Sequence, residues 1–226
     1  MMENLHIRIV SIVFIVISGA QTRAWADNDC LQIREVGAHL SLVRTNVGGR
    51  FIAESPASRT PIYGAALGGF AYFQLFQVNA GDAGVQLGLS YAPRGADTSL
   101  DGVPLSSFQS SYLEFPVLIR FNSHAFGATR VYALGGAVPG VLLAATQTNA
   151  EGDELDREED TSRLDIGIAA GVGTQVSLSS RFAISLEFRY VHGLTNITDS
   201  NDSEILNRAM FFTFGAGASF GDRGSQ

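Results

Sequence analysis

Apolar and polar residues alternate with a period of two along most of the chain after residue 26. This pattern is typical of β-strands whose two faces meet different surroundings. It is clearest in 110–121, where Leu113 and Ile119 alternate with Glu114 and Arg120. The pattern predicts eight strands, which cover residues 33–45, 61–76, 83–92, 110–121, 130–146, 163–178, 181–191 and 208–220.

The connections between these segments alternate between long and short. The long ones are 46–60, 93–109, 147–162 and 192–207, and the short ones are 77–82, 122–129 and 179–180. This alternation indicates that the two ends of the sheet face different environments. Outer-membrane barrels have this asymmetry, with short periplasmic turns and longer external loops.

The composition of the two strand faces separates a membrane barrel from a soluble one. One face is apolar and often aromatic, whereas the other is mostly Gly, Ala and Ser with isolated charges. Small residues suit the narrow lumen of an eight-stranded barrel, and hydrocarbon requires a sheet without open edges. The sequence therefore predicts an all-β fold, an eight-stranded antiparallel up-and-down transmembrane β-barrel. The alternative is a secreted, soluble, lipocalin-like barrel that binds a small apolar ligand.

The first 26 residues have the pattern of a signal peptide. An apolar run over 9–17 precedes the small-x-small sequence Ala24-Trp25-Ala26, so we expect cleavage near Ala26. The run is shorter than the roughly 20 residues that a membrane-spanning helix needs. Residues 27–226 are then the barrel domain, located in the outer membrane of a Gram-negative cell. The net charge of −7, without basic clusters, argues against binding to nucleic acid.

Charged residues lie on the polar faces of three predicted strands. A charge on the lipid side would cost a few kcal/mol, so we expect these side chains to point into the lumen. They are Glu114, Arg120, Asp165, Glu187 and Arg189. With a periplasmic N-terminus, antiparallel strands four and seven would pair Glu114 with Arg189 and Arg120 with Glu187. The sequence favours a structural ion network that plugs the lumen, and the alternative is a gate or narrow pore.

Candidate catalytic and metal-binding groups are sparse. His192, Thr195 and Asn196 are similar to the His-x-Ser-Asn segment of lipid A deacylases, but a spacing of three places His192 and Thr195 on opposite faces of a strand. The acidic residues of 147–162 could attract divalent cations, yet charge runs are typical of solvated loops. We predict a protein without catalytic activity, cofactor or metal site.

Three segments resemble one family. Tyr112–Arg120, YLEFPVLIR, resembles the "YLEIPLLLKY" stretch of PorT-like outer-membrane β-barrel proteins, a porin-family group of small barrels. The segment from Phe188 to Ile197 looks like that family's "RYSYGLTNI", and Val131 to Leu143 is similar to its "YLLAGPSVGYLL".

This resemblance implies an eight-stranded barrel with a periplasmic N-terminus. The barrel-assembly machinery would insert it into the membrane, and most members of the family have no assigned activity. The expected partners are outer-membrane lipid and lipopolysaccharide, and the expected state is a monomer. The predicted role is structural, or that of a surface-interaction module, with a narrow pore as the nearest variant.

Overall fold

The computed structural model describes residues 32–48, 57–197 and 205–220. The predicted signal peptide and its cleavage site lie outside the described residues. The described chain forms ten strands, which are β1 (Gln32–Gly48), β2 (Ser58–Val78), β3 (Gly81–Leu100), β4 (Val103–Glu114), β5 (Val117–Ser123), β6 (Thr129–Asn149), β7 (Glu154–Asp156), β8 (Leu164–Ser177), β9 (Phe182–Gly193) and β10 (Leu206–Ser219). No helix among the described residues is long and apolar enough to cross a membrane.

The strands close into a ring of antiparallel neighbours. Strand β1 pairs with β2 on one side and with β10 on the other, and the order continues through β9, β8, β6, β4 and β3 back to β2. Strands β4 and β5 lie end to end, and both pair with β3 and β6. Together they make one wall strand, so the ring has eight walls, and β7 pairs only with β6. The predicted fold class is confirmed.

A short break between β4 and β5 falls at Phe115-Pro116, because proline has no N–H to donate to a sheet. Two hydrogen bonds hold the wall together there. Gly88 N donates to Pro116 O and Phe115 N donates to Pro139 O, both over 2.8 Å. The barrel wall is therefore continuous across the break.

The apolar faces of the strands point outward. Leu42 and Ile119 are 71% and 69% exposed, whereas their neighbours Val43 and Arg120 are 1% and 2% exposed. A soluble barrel needs the opposite arrangement, with its apolar side chains enclosed. The outward surface of this barrel is suited to lipid, as the alternation predicted.

One predicted long loop is wrong. Residues 93–109 are strand for most of their length, because β3 and β4 pair as far as Leu100 and Val103. Only Asp101 and Gly102 form the turn, both with positive φ, as a tight hairpin turn requires. The predicted loop 147–162 likewise contains β7. We call this end of the barrel the loop end, and the end with the connections around Asn79, Gly127 and Ser179 the turn end.

Candidate functional site

The lumen of the barrel holds most of its buried charge. At its centre towards the turn end lies Arg120, which is 2% exposed. Its Nη1 is 3.4 Å from Glu35 Oε2 and donates to Gln86 Oε1 over 3.1 Å, and its Nε donates to Asn122 Oδ1 over 2.8 Å. Its guanidinium lies over the ring of Tyr132, 4.0 Å from the centroid. Every face of this cation therefore meets a fixed protein group.

Two further carboxylate contacts complete what we call the turn-side cluster. Gln175 Nε2 donates to the other oxygen of Glu35 over 2.6 Å. The hydroxyl of Tyr132 donates to Glu187 Oε2 over 3.1 Å, and Arg189 Nε lies 3.7 Å from Glu187 Oε1. The members of the turn-side cluster are Glu35, Gln86, Arg120, Asn122, Tyr132, Gln175, Glu187 and Arg189.

A second group, the loop-side cluster, lies nearer the loop end. Arg94 and Glu114 form a buried ion pair, with side chains 3% and 5% exposed. Asp165 has no arginine partner among the described residues. It accepts hydrogen bonds from Thr195 Oγ1 over 2.8 Å and from Asn207 Nδ2 over 2.7 Å. Arg94, Glu114, Asp165 and Asn207 line the same small cavity, so the two pairs belong to one cluster.

An apolar layer separates the two clusters. Each of the eight walls contributes at least one buried residue to a single hydrophobic cluster, whose members are Val43, Ala66, Ala92, Leu118, Tyr132, Leu134, Val138, Ala169, Val191, Ala209 and Phe211. Along β4 and β5 the layer residue Leu118 lies between Glu114 of the loop-side cluster and Arg120 of the turn-side cluster. Along β1 the layer residue Val43 lies nearer the loop end than Glu35 of the turn-side cluster. The layer therefore lies between the clusters along the barrel axis.

Phe211 marks the boundary between the clusters. Its ring is 1% exposed and contacts a guanidinium from each cluster, with Arg94 4.9 Å and Arg189 5.0 Å from the centroid. Cations are attracted to the faces of aromatic rings, so these contacts hold the ring in place. The cavities beside the two clusters measure only about 10 and 20 Å³, which is room for about one water molecule each.

The structure places all five sequence-predicted charges in the lumen, but both predicted pairings are wrong. Glu114 pairs with Arg94, which comes from the adjacent β3, instead of with Arg189. Arg120 pairs with Glu35 instead of with Glu187. Tyr132 lies between Arg120 and Glu187 and keeps these two from pairing, because its ring packs against the Arg120 guanidinium while its hydroxyl donates to Glu187.

Glu35 and Arg94 were missed by the sequence interpretation. Arg94 fell in the supposed loop 93–109, although the inward alternation Gln86, Ser90, Ala92 continues directly to it. Glu35 lies on the face of β1 opposite Val36, which is the signal that could have found it.

The structure does not join His192 and Thr195 into a nucleophile and base. Thr195 Oγ1 donates to Asp165 and accepts from Ile166 N, whereas the His192 ring contacts Tyr190, with 3.5 Å between Nδ1 and the tyrosine hydroxyl. No cluster of three or more His, Cys, Asp or Glu residues within the described ranges could hold a metal ion.

The loop end carries a separate cup of about 360 Å³. Apolar side chains such as Leu105, Phe108 and Ile197 line it together with Arg59 and Arg157. Four residues of the segment 147–162 line the cup, which are Gln147, Arg157, Asp160 and Thr161. There β7 pairs with β6, and Arg157 Nη1 lies 2.8 Å from Asp160 Oδ2.

The sequence matches a family model described as "Outer membrane protein beta-barrel domain" over residues 21–199. The chain belongs to this family. It is therefore an outer-membrane β-barrel protein. The match includes all the charged residues of both clusters, and ends before β10.

Several solved structures of outer-membrane proteins are similar to this chain at low sequence identity. Neisserial surface protein A is 10% identical, with 82% of this chain and 97% of that chain covered and a TM-score of 0.48. OprG from Pseudomonas aeruginosa is 11% identical, with 87% and 100% covered and a TM-score of 0.46. The protease OmpT from Escherichia coli is 8% identical, with 86% and 99% covered and a TM-score of 0.45. No curated protein sequence matches this one.

Proposed function

We propose that this protein is a closed outer-membrane barrel whose lumen is a structural plug, and whose loop end serves as a surface-interaction module. The apolar layer between the two charged clusters is the observation that carries the proposal. An ion that entered from either end would have to leave its water at Phe211 and Leu118, whose apolar side chains offer no polar group in its place. Moving an unpaired charge into such a layer is costly.

The five predicted lumen charges then have a structural role, together with Glu35 and Arg94. Each buried charge is neutralised or hydrogen-bonded within its own cluster, which is the condition for keeping charges inside a protein. The arrangement contains no group placed to act on a substrate, and we propose no enzymatic activity.

Conductance across a planar lipid bilayer tests the plug. We expect no steady single-channel current from the unaltered protein. The double substitution Phe211→Ala/Leu118→Ala removes two large apolar side chains of the layer and should produce discrete channel openings, because water could then join the two clusters. The variant's heat-modified gel mobility must first show that it is folded.

The adjacent residues supply a matched control. Phe212 and Ile119 are 58% and 69% exposed on the lipid face, so Phe212→Ala/Ile119→Ala removes similar side chains without touching the lumen. This control variant should show no channel openings. Steady currents from the unaltered protein would overturn the plug and favour the narrow pore.

We also propose that the loop end faces the cell exterior, with the N-terminus in the periplasm. The wall strands continue past the apolar band only at the loop end, and short turns close the other end, as in known outer-membrane barrels. The cup at the loop end then opens to the cell exterior, and it is the proposed interaction surface.

Two turn glycines allow a matched test of this orientation. Gly102 at the loop end and Gly127 at the turn end both have positive φ, and a Cβ on either would meet no atom within 4 Å. An epitope tag inserted after Gly102 should bind antibody on intact cells, and one after Gly127 only on permeabilised cells. The reverse result would invert the orientation.

We also propose the remaining sequence predictions. They are a signal peptide cleaved near Ala26, a barrel domain over 27–226, membership of the PorT-like group, insertion by the barrel-assembly machinery and a monomeric state. The stretch Tyr112–Arg120 that carries the resemblance includes the Phe115-Pro116 break and two lumen charges. It is thus part of the wall that the proposal depends on.

A further inference from the structure

The outward face of the barrel carries two arginines and a histidine at one edge. On β9 the outward positions are apolar or aromatic from Phe182 to Tyr190, and His192 follows. On β10 the outward run from Ala218 to Met210 ends at Arg208, and on β1 the outward residue after Leu42 is Arg44. The β9 run has the length that a tilted strand needs to cross the hydrocarbon, about 9–11 residues. These three basic side chains therefore lie at the level of the lipid headgroups at the loop end.

These residues are neighbours across the sheet. Arg208 is the register partner of His192 on β9, and Arg44 is the partner of Met210 on β10 and of Tyr63 on β2. Tyr190 is the β9 partner of Met210. We call Arg44, Arg208, His192, Tyr63 and Tyr190 the outer-rim patch. Tyrosines are enriched at this level of membrane proteins, where the ring meets lipid and the hydroxyl meets water.

The two guanidinium groups of the patch have no carboxylate partner among the described residues. The salt bridges of the described chain use other arginines. Arg44 Nη1 contacts only Met210 Sδ, at 3.9 Å. The outward positions of β1, β8, β9 and β10 contain no acidic residue.

Gly48 shows where the Arg208 side chain goes. A Cβ on Gly48 would lie 2.5 Å from Arg208 Cζ and 2.8 Å from its Nη2, so the guanidinium lies flat over this glycine. Gly48 is nearer the loop end than Asn46, the register partner of Arg208. The side chain thus turns away from the apolar band and towards the headgroups, as long basic side chains do at membrane boundaries.

An apolar depression of about 900 Å³ lies on the turn-end side of the patch, and none of the patch residues lines it. Its lining includes the outward side chains Leu40, Leu42, Leu186, Phe188, Phe212 and Phe214. Leu42 lies two residues from Arg44, and Phe188 two residues from Tyr190. A ligand of the patch therefore meets a cationic edge at one end and apolar surface along the rest of its length.

We propose that the outer-rim patch and the apolar depression bind one lipid A molecule of the outer leaflet, with a lipid A phosphate on Arg44 and Arg208 and the acyl chains along the depression. Arginine binds phosphate through two parallel hydrogen bonds, which suits the lipid A phosphate at the level of the headgroups. The proposal rests on the orientation proposed above, because lipid A occupies only the outer leaflet.

Binding is measured on the purified full-length mature barrel in detergent by native mass spectrometry, with bisphosphorylated hexa-acyl lipid A as the probe. We expect Arg44→Gln/Arg208→Gln to weaken binding at least tenfold. Arg163→Gln/Arg181→Gln is the matched control, since both arginines are exposed and lie outside the patch. It removes the same charge and should bind as the unaltered protein does.

Two further binding measurements use the unaltered protein with other lipids, so they remain informative if the double variant does not fold. Lipid A stripped of its phosphates, and phosphatidylglycerol, should each bind at least tenfold more weakly than the probe. Equal binding of dephosphorylated lipid A would overturn the role of the arginines. Equal binding of phosphatidylglycerol, or unchanged binding by the patch variant, would overturn lipid A as the ligand. These results do not depend on conductance, so their failure is distinguishable from failure of the plug.

Discussion

Replacing Glu35 with leucine is expected to lower the free energy of unfolding by about 3–5 kcal/mol, because it removes one partner of a buried ion pair. Arg120 would keep its charge at 2% exposure without its carboxylate, and Gln175 would lose its acceptor. The measurement is the fraction of folded, heat-modifiable protein across a urea series in lipid vesicles.

Two variants separate the buried charge from other causes of this loss. Glu35→Leu/Arg120→Met removes both members of the pair and should recover most of the stability, because apolar replacement of a whole buried pair is often neutral. Glu154→Leu in the exposed β7 makes the same exchange outside the lumen and should leave the urea midpoint unchanged. Additive losses from Glu35→Leu and Arg120→Met would show that the two residues do not interact.

Substituting Gly136 with alanine should disturb the barrel wall itself. An added Cβ would lie 2.2 Å from Val117 O and 3.0 Å from Leu118 Cα, and both are backbone atoms that cannot move aside as a side chain can. The pairing of β5 with β6 would have to shift, at a cost of about 3 kcal/mol or more. We expect a lower yield of folded barrel on refolding and a lower urea midpoint.

Gly140 on the same strand and the same inward face is the matched control. A Cβ there would lie 3.5 Å from Glu114 Cγ and 3.6 Å from Tyr112 Cβ, which is ordinary packing contact. Gly140→Ala should therefore refold as the unaltered protein does, within about 1 kcal/mol. Equal sensitivity of the two positions would mean that close backbone approach is not what requires Gly136.

The membrane-spanning part of the fold could be predicted because lipid imposes a simple rule on the outward face. Leu113 and Ile119 had to be apolar, so the period of two was visible and gave the correct face for Glu114 and Arg120. Beyond the apolar band the outward face no longer needs apolar residues. The pattern fades in 97–107 although backbone pairing continues, and that is why the sequence predicts a loop where the strands extend.

The partners of the lumen charges could not be predicted in the same way. Alternation gives the face of a residue, but the partner depends on the tilt of the strands and on the lengths of neighbouring side chains. Glu114 reaches Arg94 of the adjacent wall before it could reach across the lumen. Tyr132 between Arg120 and Glu187 has no mark in the sequence that would indicate its position.

The apolar layer at Phe211 also has an electrical consequence. In the proposed plug, a hydrogen-bonded chain of water cannot cross between the loop-side cluster and the turn-side cluster. Although its lumen holds several charges, the proposed plug would make the barrel an electrical insulator between the two sides of the membrane.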